Sequence, residues 1–180
     1  MVQNVVKLKL MTVRVLTPQN VEAYRALRLE ALKTEPAAYT SSAEDFEIEP
    51  LEEVAKRLEA KDYGSFMLGA FREERLIGIA NFVPETRVKV EHKGWVFGVY
   101  VTASERGKGV AKAMMLALLE RVKTYPKIRQ INIAVITSQV AAKRLYTSLG
   151  FEVWGLERNA LKLGETFYDE EWLVLKIPRS

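Results

Sequence analysis

An almost unbroken apolar run, Gly94-Trp95-Val96-Phe97-Gly98-Val99-Tyr100-Val101, passes directly into the glycine-bearing stretch Thr102 to Gly109. An amphipathic segment follows and closes at Pro126. A strand that is apolar on both sides needs cover on both faces, so this run belongs in the middle of a sheet. Residues 111–125 have the length and spacing of a helix, with Ala113, Met114, Leu116 and Ala117 available for packing. Residues 130–136, Gln-Ile-Asn-Ile-Ala-Val-Ile, read as a second buried strand. Strand, helix and strand in that order join parallel neighbours, which places the chain in the α/β (α+β) class.

The remaining segments fit around that unit. Residues 11–16 alternate like a short strand, and Thr17-Pro18 caps a helix that runs to about Thr34 with Val21, Tyr24, Leu27 and Ala31 on one face. Glu35-Pro36 stops it. Residues 36–49 read as a loop, and Pro50 opens a helix over 51–60 with Leu51, Val54 and Leu58 on its apolar side. A turn at 62–65 precedes strands at 66–73 and 75–83, joined at Glu73-Glu74 as a hairpin. Residues 138–150 form a helix with Ala142, Leu145 and Leu149 inward and Gly150 as its left-handed terminator. Strands at 151–156 and 166–177 end the chain. The expected product is one mixed sheet with helices on both faces. A length of 180 residues suits a single domain over 11–180, with 1–10 as an N-terminal extension.

Composition removes several chemistries. There is no cysteine, so disulfides and thiolate nucleophiles are excluded, and the single His92 leaves no histidine-rich metal site. No metal is expected. No run of eighteen apolar residues suggests a membrane span, and the N-terminus lacks a signal-peptide core, so the chain reads as cytoplasmic. The net charge of +4 is scattered, which favours a small anionic ligand over nucleic acid.

The turn between the apolar strand and its helix carries the most chemistry. Two glycines let the backbone curl so that several N–H groups face one point, and a helix start adds free donors and a positive dipole end. Such a turn binds phosphate without any one side chain. Arg106, Lys108 and Lys112 add charge. A Walker A loop needs a Gly-Lys-Ser/Thr ending that is missing here, and a dinucleotide fingerprint needs a third glycine where Lys112 stands. A plain tight turn that merely starts a helix is the alternative.

The pattern Arg106-x-x-Gly109-x-Ala111 behind Val99-Tyr100-Val101 resembles the acetyl-CoA signature of the GNAT superfamily of N-acetyltransferases. Leu145-Tyr146-x-x-Leu149-Gly150-Phe151 resembles that family's second motif, and the order of elements agrees from about Met11 to Ile177. The resemblance implies a mostly antiparallel sheet of six to seven strands in the GNAT fold. It implies acetyl-CoA as acyl donor, with Val99, Tyr100 and Val101 along the pantetheine arm. Backbone groups of Arg106, Gly107, Lys108, Gly109, Val110, Ala111 and Lys112 would hold the pyrophosphate. Gln139 stands where the family often has a cofactor-binding asparagine, and Tyr146 where it has the acid that protonates the leaving thiolate. Gln139 and Tyr146 are seven residues apart, two helical turns, and so share a face.

The implied activity is direct attack of a primary amine on the thioester in a ternary complex. The acceptor is a small molecule, a protein N-terminus or a lysine. The alternatives are a non-catalytic acyl-CoA sensor of the same fold, or a nucleic-acid binder. A homodimer is compatible with the family. The base is left open among His92, Glu30, Glu44, Asp45, Asp169, Glu170 and water. The acids and aromatics of residues 168–172 suit a cationic amine. Leu27-Arg28-Leu29-Glu30-Ala31-Leu32 and Pro36-Ala37-Ala38-Tyr39 resemble the opening of small bacterial members, where the acceptor site is bordered.

Overall fold

The computed structural model describes residues 11–178. The expected extension over 1–10 lies outside them. One seven-stranded sheet forms from β1 (Met11–Val15), β2 (Phe66–Arg72), β3 (Arg75–Pro84), β4 (Lys93–Val101), β5 (Gln130–Ile136), β6 (Glu152–Leu163) and β7 (Thr166–Lys176). The spatial order is β1-β2-β3-β4-β5-β7-β6, and only β4 and β5 run parallel. The helices are α1 (Val21–Thr34), α2 (Ala43–Glu47), α3 (Leu51–Lys56), α4 (Val110–Lys123) and α5 (Val140–Ser148). Among the described residues, no helix is long and apolar enough to cross a membrane.

Alternate residues of the central strands feed two cores. Met67, Phe71, Leu76 and Ile79 pack with Tyr24, Leu27, Ala31, Phe46 and Val54 under α1–α3. Phe66, Leu68, Ala80 and Phe82 pack with Met115, Leu118, Leu119 and Val122 of α4, and Tyr146 of α5 joins them. Because both faces are covered, these strands are apolar at nearly every position.

Several local expectations differ from the structure. The stretch read as a loop contains a 3₁₀ turn, Pro36–Ala38, and α2, whose cap Ser42 accepts a hydrogen bond from the Asp45 N–H at 3.0 Å. The helix expected over 51–60 stops at Lys56. On α4, Leu116 is 45% exposed, and the inward stripe is Met114, Met115, Leu118, Leu119 and Val122. β6 runs far beyond residue 156, to Leu163, before turning at Gly164-Glu165 into β7. It is an edge strand with an exposed outer side, so its sequence lacks the apolar signal of a buried one. The chain also places β7 between β5 and β6, so the second strand–helix–strand unit does not join neighbours.

Candidate active site

β4 carries one extra residue. Ile79 pairs with Tyr100 and Asn81 with Phe97, so two steps on β3 match three on β4. Gly98 takes up the surplus at φ +61°, a conformation that costs glycine little and other residues about 1–2 kcal/mol. This is a β-bulge, and it bends the strand. Beyond it β4 leaves β5: their pairing runs from Lys93↔Gln130 only to Val96↔Ile133. β4 continues along β3 to Val101, while β5 continues along β7 to Ile136↔Glu170. A wedge therefore opens between two strands of one sheet.

The carbonyls of Val99 and Val101 are met by side chains. The Tyr39 hydroxyl donates to Val99 O at 3.3 Å, and Arg106 Nε donates to Val101 O at 2.9 Å. The Arg106 guanidinium also pairs with Glu35 at 2.6 Å and lies 5.3 Å from the Tyr100 ring centre. The second Glu35 oxygen accepts from Gln139 Nε2 at 3.5 Å. Glu35, the residue that caps the end of α1, thus bridges the starts of α4 and α5 across the wedge.

At the wide end of the wedge is the glycine turn. Gly107 and Gly109 sit at φ +71° and +79°, and a Cβ on either would meet nothing within 4 Å, so the left-handed backbone is what requires glycine there. The N–H groups of Gly107, Lys108, Gly109, Val110, Ala111 and Lys112 find no acceptor among the described residues. That is a row of free donors at the positive end of a 14-residue helix. Glu105 anchors the turn from below: it is buried, accepts from Arg72 at 2.9 and 3.1 Å, and faces Lys108 at 3.5 Å. The Arg72 hydrogen bond is the main cause that holds its carboxyl below the usual value. The free donors and the open face of the turn fit a diphosphate, and the wedge fits an extended arm beside β4.

A cleft of about 460 Å³ fills the wedge. Val99, Gln139, Tyr146, Glu35, Glu170 and Trp172 are among its walls. Tyr146 is 5% exposed, its ring rests 6.1 Å from Phe151, and its hydroxyl has no partner among the described residues. Burial pushes the phenol well above its ordinary pKa, so it is a proton donor at every physiological pH. Glu170 also shows an upward shift, from burial first and then from facing Glu157.

The other candidate bases separate from the cleft. His92 is exposed, and only its backbone oxygen is engaged, by Arg129 and Gln130 N–H groups. Glu30 is no solvated charge. It accepts from Thr102 at 2.6 Å and Tyr100 at 2.9 Å and stiffens β4. Glu44 and Asp45 are exposed on α2, and Asp169 accepts from the Asn159 N–H at 2.9 Å. Glu35 and Asn81, given no site role by the sequence, line the same cleft, as do Arg28 and Tyr39 of the segments expected to border the acceptor. Arg28 places its guanidinium 4.4 Å over the Tyr39 ring, and its Nη1 is withheld from water without an acceptor. An orphaned buried donor of this kind costs about 1–3 kcal/mol.

Residues 13–172 match the sequence model of the acetyltransferase (GNAT) domain family. The chain belongs to the GNAT family. Among solved GNAT structures it is similar to an acetyltransferase from Streptococcus pneumoniae, with a TM-score of 0.84 at 22% identity, over 94% of this chain and 100% of that one. A putative acetyltransferase from Salmonella typhimurium, solved with acetyl-CoA, superposes with a TM-score of 0.76 at 19% identity, over 95% and 96% of the two chains. Among characterised relatives, L-2,4-diaminobutyric acid acetyltransferase of Wolinella succinogenes is 31% identical over 110 residues, 57% of this chain and 62% of its own length. This GNAT chain therefore spans about three-fifths of that relative.

Proposed function

We propose that the protein transfers an acetyl group from acetyl-CoA to the primary amine of a small molecule. The observation that carries this is the wedge between β4 and β5, which leads from the free N–H row of Gly107–Lys112 to the cleft holding Tyr146 and Glu170. A relative that acts on diaminobutyric acid and a fold neighbour solved with acetyl-CoA support the same reading. The cleft volume suits a small acceptor.

When bound, acetyl-CoA supplies an activated acetyl thioester. The backbone of Arg106 to Lys112 would hold its diphosphate, and the β4 edge at Val99 and Val101 its extended arm, once the Tyr39 and Arg106 side chains give way. Glu170 takes a proton from the acceptor ammonium, whose pKa near 10.4 in water otherwise keeps it unreactive. The free amine would attack the acetyl carbon as the C–S bond breaks. Tyr146 would give its hydroxyl proton to the departing sulfur, which leaves as a thiol, and the surplus proton on the new amide nitrogen would return to the phenolate oxygen. Gln139 steadies the wedge from the start of α5.

The alternative is an acyl-CoA sensor of the same fold; the unpaired Tyr146 hydroxyl beside the cleft favours an enzyme. Thiol release from acetyl-CoA across a panel of amines, together with calorimetric titration of coenzyme A, tests both. Coenzyme A binding without turnover on any amine would favour the sensor, and no binding at millimolar coenzyme A would remove both readings.

A further inference from the structure

We infer that the acceptor is an amine that also bears a carboxylate, and that Arg28 selects it; this rests on the acetyl-transfer reading above. Arg28 stands on α1 where two clefts meet. The first is the wedge cleft, with Glu35 and Glu170 in its walls. The second, about 360 Å³, lies under α1–α3 and is walled by Tyr24, Arg57, Ser65 and Met67 among others. Arg28, Ser41, Asn81, Phe97 and Gly98 line both, so the two clefts adjoin along one shared wall. The combined space is polarised: Glu170 stands on the wedge side, beside a Glu35 already paired with Arg106, and two guanidiniums stand on the other.

The two guanidiniums are not equivalent. Arg57 is neutralised by an ion pair with Glu49. Arg28 has no ion pair among the described residues, and its Nη1 is buried with nothing to donate to. Buried donors are nearly always paired, and a guanidinium is a planar fork shaped for a carboxylate. Because Arg28 lines both clefts, a molecule that fills the shared space can bring a carboxylate to this unpaired guanidinium, with Nη1 turning to meet it. Arg28 Nη1 lies 3.6 Å from where a Cβ on residue 98 would stand, an ordinary contact distance, so the guanidinium rests against the bulge of β4. A zwitterionic acceptor satisfies both sides. Its carboxylate meets Arg28, and its ammonium turns to Glu170 and the Trp172 ring. An acceptor with cations at both ends would set one of them against Arg28.

The test compares L-amino acids with the amines they become on decarboxylation, L-leucine against 3-methylbutylamine and L-ornithine against 1,4-diaminobutane. Thiol release is followed in the wild type, Arg28→Gln and Arg28→Lys, with coenzyme A titration as the check that each variant folds. The wild type should favour the amino acids by about 10–100-fold in kcat/KM, mainly through KM. That ratio should fall toward one in Arg28→Gln and only part-way in Arg28→Lys, which keeps the charge but loses the fork. Equal use of acids and amines by the wild type, or a preference that survives Arg28→Gln, overturns the Arg28 assignment and leaves the transferase standing. Absence of thiol release with every acceptor overturns the transferase reading itself, and this inference with it.

Discussion

In the proposed transfer, Tyr146 and Glu170 would divide the proton work between a group that holds its proton and one that gives it up late. The Tyr146 phenol is raised by burial, so removing its hydroxyl removes a donor that is always charged with a proton. Tyr146→Phe is expected to lower kcat about 100-fold or more while coenzyme A affinity stays within a few-fold; steady-state kinetics and calorimetry read the two. Glu170 is raised by burial and by Glu157, so it acts as a base only once ionised. The acid limb of the kcat/KM profile should therefore lie above the ordinary carboxylate range, and activity should fall as pH drops through it. Glu170→Gln is expected to abolish that limb. The same shift has the opposite effect on stability. The folded state prefers protonated Glu170, so its favourable contribution is complete below the unfolded carboxylate pKa and lost as pH rises through the folded one. Glu170→Gln should thus melt higher than wild type at neutral pH, measured by calorimetry.

The turn before α4 shows how one short segment combines backbone conformation with charge. Gly109 caps α4 at φ +79°, with open space where a side chain would begin. Gly109→Ala therefore pays in backbone strain alone, about 1–2 kcal/mol, and is expected to lower the melting temperature by roughly 2–8 °C while weakening coenzyme A binding. Thermal melts and titration of the same variant check both. This element was legible in the sequence because two glycines, three cations and a buried strand coincide within a few residues. The bulge at Gly98 was not, since a glycine in an apolar run reads equally as tight packing. β6 was misjudged for a related reason: an edge strand with water on one side has no need of the apolar alternation that marks a buried one.

The whole molecule brings together groups that the chain keeps far apart. Glu35, Arg106 and Gln139 meet across the wedge, and Arg28 faces Gly98, through contacts that span more than a hundred residues at their longest. No local pattern encodes such meetings: segments 27–32, 36–39 and 168–172 could be read as bordering an acceptor, but the pairing of Glu35 with Arg106 and Gln139 could not. A ligand spanning that junction should stabilise the fold as a unit. Coenzyme A at a hundred times its Kd is expected to add about 2.7 kcal/mol and raise the melting temperature by roughly 5–10 °C, read by differential scanning fluorimetry. The surplus residue stored in β4 reaches furthest of all. Val96 faces α4 and Tyr100 faces α1, although four residues apart they would point the same way in an unbroken strand. The two halves of β4 run half a period out of phase. Deleting one residue at Gly98 would bring them back into step with Tyr100 still on the α1 layer, now three residues after Val96, and zip shut the gap through which any substrate must pass.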